Sequence, residues 1–296
     1  MPKNGHFKAE GLNIGWGGEN ISKINSFRII GQGNKKNFSY FKLFNIKKRF
    51  NLSIYEFDFI LREVLNKTYS DYLINDISNE EFEKIKPYIE IAKYKPVEYI
   101  FNKAFFRNLE LYVDENVLIP RNETEYLVDI AIKIIKERNY YKIFEIGIGS
   151  GAISISLAKE VDKIKIFAND ISFKALKVAK KNIKKYQVEN KIFLFCGDSI
   201  KSIKSKFHLI IWNIPYIFED EYIYLSEKVK AEPKLALLYN ENVFSYFLNN
   251  FKNFLLDNGS CILEISPKLS KKLKNYGFEI LNDFYGIERF ALFSII

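Results

Sequence analysis

Two short stretches carry residue types that could do chemistry together. Asn213-Ile-Pro-Tyr216 sets a carboxamide, a main-chain carbonyl and an aromatic ring at adjacent positions. Pro215 restricts residue 214 to extended conformations, so the direction of that carbonyl is limited. The second stretch is Phe144-Glu-Ile-Gly-Ile-Gly-Ser-Gly151. It lies between an apolar run of strand character, Tyr141-Lys-Ile-Phe144, and Ala152-Ile-Ser-Ile-Ser-Leu-Ala158, which reads as a buried helix. Glycines in such a loop let a ligand approach the main chain. The helix start behind it offers unpaired N–H groups and the positive end of its dipole. Roughly twenty residues further on, Asp170 ends the next apolar run, where a carboxylate can accept two ribose hydroxyls. Loop and carboxylate together point to an adenosine-containing cofactor held by Gly147, Ile148, Gly149, Ser150, Gly151 and Asp170.

Taken singly, these features are weak. Gly147, Gly149 and Gly151 spell G-x-G-x-G, whereas the dinucleotide fingerprint is G-x-G-x-x-G, and ordinary strand-to-helix turns carry such glycines too. An Asn-x-Pro turn closing a strand is equally ordinary. Their common position at strand ends gives them weight. After residue 140 strand-like runs occur at 141–146, 163–169, 191–196, 207–212, 259–265, 277–284 and 287–294. Helical patterns fall between most of them, at 151–160, 173–186, 243–256 and 267–275. Repeated β–α units predict a parallel sheet covered by helices on both faces. Only Tyr285-Gly286 joins the last two strands, too short for a crossover, so these two must be antiparallel. Ligands of such sheets sit beyond the carboxyl ends of the strands, and that edge collects the glycine loop, Asp170, Asp198 and Asn213.

The N-terminal part has a different character. Residues 1–36 hold half of all the glycines and read as a disordered or non-native extension. Met1 is the only methionine. A start at a non-Met codon near residue 35 and a genuine flexible tail are both open. Residues 37–95 are helical in pattern and form a small domain expected to dock a substrate. Ser53 with Glu56, and Ser78 with Glu81, spell capping boxes. The second of these helices is expected to run through Ile91, with Pro87 ending or kinking it. Residues 96–118 form a connector with a hairpin turn at Arg107-Asn108. The catalytic domain takes 119–296, with Asn122 and Glu125 as a capping-box-like start to its first helix.

Composition excludes several classes. Hydrophobic residues make up 48% of the 296, enough for a core, and no apolar run is long enough to span a membrane. With no signal-peptide pattern at the start, a cytoplasmic protein is expected. Cys196 and Cys261 fall in predicted strands and read as small buried hydrophobes. His6 and His208 lack metal-ligand spacing, so no metal site is expected. The net charge of +9 comes from lysines scattered over helices in a chain rich in Lys, Asn, Ile, Phe and Tyr. Solvated helix faces account for it without a nucleic-acid substrate.

The chain resembles the class I S-adenosylmethionine-dependent methyltransferases, and more closely the HemK/PrmC family of glutamine N5-methyltransferases acting on peptide chain release factors. The likeness covers about residues 38–296. It rests on Pro96-Val-Glu-Tyr-Ile, Leu118-Ile-Pro-Arg-Asn-Glu-Thr-Glu125, Glu145-Ile-Gly-Ile-Gly-Ser-Gly-Ala152, Asn213-Ile-Pro-Tyr216, Glu232-Pro-Lys-Leu-Ala-Leu237 and Gly286-Ile-Glu-Arg-Phe290. The Ile-Pro-Arg-x-Glu-Thr-Glu segment is its specific part, since adenine methyltransferases share only the Asn-Pro-Pro-Tyr element. The resemblance implies a Rossmann-like fold with a mostly parallel seven-stranded sheet, an antiparallel last strand and a small N-terminal helical domain. It implies S-adenosyl-L-methionine as cofactor, a release factor as partner, and a monomer. Asp198 would lie near the adenine with Ser199 beside it, where family members often carry tryptophan.

The implied catalytic residues are Asn213, Ile214, Pro215 and Tyr216. The Asn213 side-chain oxygen and the carbonyl of Ile214 would accept the two N–H groups of the substrate amide, and Asn213 would also border the cofactor. Tyr216 would pack on the planar amide. Ile214 stands where the family usually has proline, but the contact is main-chain. Arg121 and Glu123 either shape the mouth of the cleft or form a surface salt bridge at a helix start. The alternatives are a ribosomal-protein glutamine methyltransferase and an adenine-N6 methyltransferase of DNA or RNA.

Overall fold

The computed structural model describes residues 50–74 and 77–295. The extension expected at 1–36, and the start of the helical domain to residue 49, lie outside the described residues. Helix α1 (Ile54–Leu65) and α2 (Asn79–Ile91) both begin with the expected capping boxes, Ser53 with Glu56 and Ser78 with Glu81. Each box satisfies two otherwise unpaired N–H groups. Pro87 does not end α2, which continues to Ile91. Phe57, Ile60, Leu61, Ile85 and Ile89 form the core of this helical part.

Helix α3 (Val97–Phe101) leads into hairpin strands β1 (Ala104–Phe106) and β2 (Leu109–Leu111). The turn is at Arg107-Asn108 as expected, and Arg107 takes φ of +51° there. Its guanidinium does more than turn the chain. It donates to both carboxylate oxygens of Glu160 at 2.8 and 2.9 Å and to Asp129 at 2.6 Å, while its main-chain N–H donates to Glu125 at 2.6 Å. Glu125 is therefore used by the hairpin and not as a capping residue. Helix α4 (Asn122–Arg138) begins at the residue expected to cap it, so the N-cap falls one residue earlier, on Arg121, with no side-chain cap bond.

The remainder alternates as expected: β3 (Lys142–Ile146), α5 (Ala152–Glu160), β4 (Lys165–Asp170), α6 (Phe173–Lys185), β5 (Ile192–Cys196) and β6 (Phe207–Asn213). Short helices between Glu219 and Leu237 precede α7 (Glu241–Asn250), β7 (Leu255–Glu264), α8 (Ser270–Asn275), β8 (Glu279–Asn282) and β9 (Glu288–Ser294). Helix α7 stops at Asn250, short of the expected residue 256. A 3₁₀ turn, Phe251–Phe254, follows, and β7 starts at Leu255. The sheet order is β5-β4-β3-β6-β7-β9-β8, and β9 is antiparallel to both neighbours while the other pairings are parallel.

Period-2 alternation sorts the strand side chains into two apolar layers. Ile143, Ile166, Leu209, Ile211 and Ile262 pack against α4 and α5 through Leu127, Val128, Ile155 and Leu157. Phe144, Ile210, Trp212 and Leu263 face the other way, toward Phe244, Phe247 and Phe251. Asn213 follows Trp212 and so falls on the α4 side. Cys261 is buried as expected. Cys196 is exposed, because it ends β5 at the edge of the sheet.

Candidate active site

Strands β3, β4 and β6 deliver their carboxyl ends to one cavity of about 620 Å³. Residues 147–150, Asp170, Asp198, Ser199, Asn213, Ile214 and Pro215 line it. Of the expected residues, Gly151 and Tyr216 do not. Residues missed by the sequence reading are Glu145 and Thr124, which also line the wall.

Gly147, Gly149 and Gly151 take φ of +68°, +54° and +88°, a region that side chains other than glycine's rarely adopt. A Cβ on Gly151 would also stand 3.0 Å from Ile155 Cδ1. The loop is pinned from within: Gly149 N–H donates to Asp170 Oδ2 at 3.1 Å and Ile148 N–H to the Asn169 carbonyl at 2.9 Å. Asp170 Oδ1 accepts from Ser172 N–H at 2.9 Å, so the carboxylate is held on both oxygens. Gly151 caps α5 without a side chain, and Ala152 and Ile153 of the first turn of that helix line the cavity.

The wall is acidic. Burial pushes Asp170 above the usual carboxylate range, although backbone N–H groups oppose this. Glu145 is 2% exposed, and burial raises its pKa to about 8 against the hydrogen bonds it accepts from Ser154. At the far side Asp198 pairs with Lys201 at 2.8 Å. Ser199 has φ of +48°, and its hydroxyl is buried without a hydrogen-bond partner among the described residues. Asn169 holds the carbonyl of Ser199 at 2.8 Å.

Around Asn213 the groups are wired together. Asn213 and Glu264 pair across β6 and β7, and Ile214 N–H donates to the Glu264 carbonyl at 3.2 Å. Asn213 Nδ2 donates to Thr124 Oγ1 at 3.1 Å, and Thr124 Oγ1 donates to Glu264 Oε2 at 2.7 Å. The Tyr216 hydroxyl faces Glu264 Oε1 at a long 3.5 Å. Burial, then the charge of Glu264, pushes the Tyr216 hydroxyl up to about 12. Ile214 turns its side chain into the apolar layer, where it is 3% exposed.

Arg121 and Glu123 part company. Arg121 lines the cavity and ion-pairs at 2.5 Å with Glu232, whose side chain is 2% exposed. Glu232 also accepts Ile119 N–H at 3.1 Å, so this pair ties the Ile-Pro-Arg segment to the Glu-Pro-Lys segment more than a hundred residues away. Glu123 is exposed on the first turn of α4.

A glycine cradle after the first strand of this sheet, an acidic residue ending the second, and an Asn-x-Pro-Tyr turn ending the fourth define a class I methyltransferase. A methyltransferase small domain family model matches residues 125–227. The release factor glutamine methyltransferase of Dictyoglomus turgidum is 40% identical over 254 residues, covering 79% of this chain and 88% of that protein. The protein of the same name from Borreliella burgdorferi is 34% identical, covering 84% and 91%. The chain belongs to the release factor glutamine methyltransferase family. A bifunctional methyltransferase of Rickettsia prowazekii is also similar, 35% identical over 78% of this chain, which spans 50% of that longer protein. Among the described residues no helix is long and apolar enough to cross a membrane.

Proposed function

We propose that this protein transfers a methyl group from S-adenosyl-L-methionine to the side-chain amide nitrogen of a glutamine in a peptide chain release factor. The observation that carries the reading is the orientation of Asn213. Its Nδ2 is engaged by Thr124, which leaves Oδ1 as an acceptor at the cavity wall. An acceptor there suits a group that presents N–H, as a carboxamide does.

The cavity suits the cofactor. Glu145, Asp170 and Asp198 give it an acidic wall for a ligand that carries positive charge. The unpartnered Ser199 hydroxyl offers a donor beside Asp198, and the glycine cradle admits close approach. When bound, S-adenosylmethionine supplies an electrophilic methyl group on a sulfonium. Residues 147–150, with Gly151 setting the turn behind them, would hold its amino-acid part, Asp170 the ribose hydroxyls, and Asp198 with Ser199 the adenine.

The residues of the fourth strand end do the positioning. A carboxamide nitrogen is a poor nucleophile, since its lone pair is delocalised into the carbonyl. Asn213 Oδ1 and the Ile214 carbonyl accept its two hydrogens and aim the lone pair. Pro215 restricts the backbone of Ile214, and Tyr216, set behind the cavity wall, faces Glu264 and would reach the amide only by turning toward it. Orientation of this kind can carry much of a barrier reduction.

The helical part, joined to the catalytic part by Lys228 with Glu56 and to the connector by Lys103 with Glu63, docks the large protein substrate. The protein works as a cytoplasmic monomer. The test is mass spectrometry of a purified release factor after incubation with the protein and S-adenosylmethionine. One added methyl group on a glutamine supports the reading, and none overturns it. An Asn213→Ala protein should lose the transfer while keeping cofactor binding.

A further inference from the structure

Thr124 comes from the first turn of α4, Asn213 from the end of β6 and Glu264 from the end of β7. Thr124 and Glu264 are 3% and 0% exposed. Their hydrogen bonds form a chain with one direction. A threonine hydroxyl has a single proton. By donating it to Glu264, Thr124 can only accept from Asn213, so Asn213 must present Nδ2 inward and Oδ1 to the cavity. A carboxylate is acceptor-only, which makes Glu264 the group that sets the direction. With any donor in its place the hydroxyl proton could turn, and the Asn213 amide could present either end.

We propose that Thr124 and Glu264 are positioning residues that lock the Asn213 amide with its oxygen toward the substrate, so that the site selects a carboxamide over a carboxylate. This rests on the proposed function of the Asn213 site. It requires Glu264 to be ionised, which makes the lock sensitive to pH. The groups facing Glu264 are Thr124 and the nearby Glu123 of α4, Tyr216 beyond β6, and Arg289 of β9. Burial raises its pKa to about 7, opposed by Thr124, Arg289 and Tyr216 and reinforced by Glu123. Below that value a protonated Glu264 can donate to Thr124, whose hydroxyl proton then turns toward Asn213, and the amide inverts to accept it with Oδ1.

Two measurements on the full-length protein test this. In the first, without substrate, Glu264 and the Asn213 side-chain amide are followed by NMR as pH is raised from 5 to 9. In the wild type both signals should move with one midpoint, and in Thr124→Val only Glu264 should titrate. An Asn213 amide insensitive to the Glu264 titration overturns the proposal. In the second, release factor is offered with its methyl-accepting glutamine intact or changed to glutamate as a competitor.

Thr124→Val should lower kcat roughly ten- to a hundredfold with KM nearly unchanged, as expected for a misaligned reacting group. It should also bring the binding preference for glutamine over glutamate close to parity, and Thr124→Ser should restore both. A Thr124→Val protein with wild-type kcat and preference, or a Thr124→Ser protein as impaired as Thr124→Val, sinks the idea. A wild type that methylates no release factor refutes the proposed function, while the NMR coupling still judges the lock.

Discussion

Glu145 sits at the carboxyl end of the central strand β3, fully buried, with its pKa raised to about 8 from an ordinary 4.5. An acid raised on folding makes its stability contribution at low pH. That contribution is complete below the unfolded value near 4.5 and is lost as pH rises through the folded value near 8. Each pKa unit is about 1.4 kcal/mol. The strain of holding this carboxylate is therefore about 3 kcal/mol at pH 7, from roughly 2.5 units of separation, and about 5 kcal/mol well above pH 8.

Glu145→Gln removes the charge at every pH while keeping an oxygen for Ser154, and its amide N–H₂ can face the cavity. The variant should be more stable than the wild type at pH 7, by at most about 3 kcal/mol. For a protein of this size that is an upward Tm shift of up to roughly 6–12 °C. The measurement is thermal denaturation without cofactor at pH 5 and pH 8. The two proteins should nearly coincide at pH 5 and separate at pH 8, the wild type falling. A Glu145→Gln protein that is less stable at pH 8, or whose curve runs parallel to the wild type's across this range, refutes the reasoning. Methyl transfer should fall despite the added stability, since Glu145 lines the cavity proposed to hold the cationic cofactor.

The same group lines the cavity proposed to hold the cofactor. A cationic ligand favours ionised Glu145 and Asp170, so binding at pH 7 should release protons, and Kd should tighten as pH rises from 6 to 8. Calorimetry in buffers of different ionisation enthalpy reads this directly. Gly151→Ala should destabilise by about 1–2 kcal/mol, because a Cβ at φ +88° is strained and meets Ile155 at 3.0 Å, and denaturant titration measures it. Ile214→Pro removes an N–H that donates to the Glu264 carbonyl and an apolar side chain from the core. It should cost about 1–3 kcal/mol in stability and leave methyl transfer within a few fold of the wild type. Arg107→Ala removes the cation that ties the hairpin to Glu160 and Asp129 and should loosen it, seen as amide exchange that speeds up relative to the wild type in β1 and β2 but not in β3.

What the sequence by itself determined is what acts over a few residues. The capping boxes at Ser53 and Ser78 are three-residue patterns, and both formed. The glycines that must take positive φ, the β–α alternation, the antiparallel last pairing and the Asn-x-Pro-Tyr turn are all local in origin. Where a second partner from afar competed, local reading failed. Glu125 has the spacing of a capping residue, yet it holds the Arg107 main chain across 18 positions. Cys196 looks like a core residue because strand pattern does not reveal which strand is at the edge.

Only the tertiary structure decided how the site is held. Thr124 and Glu264 are 140 residues apart and meet because α4 packs over the ends of β6 and β7. Glu232 reaches Arg121 across 111 residues. The altered acidities of Glu145 and Glu264 exist only once folding has removed water from around them. A sequence records which groups can donate, accept or ionise. The fold decides which of them lose their solvent together, and that is what ties Asn213 at the end of β6 to Thr124 and Glu264.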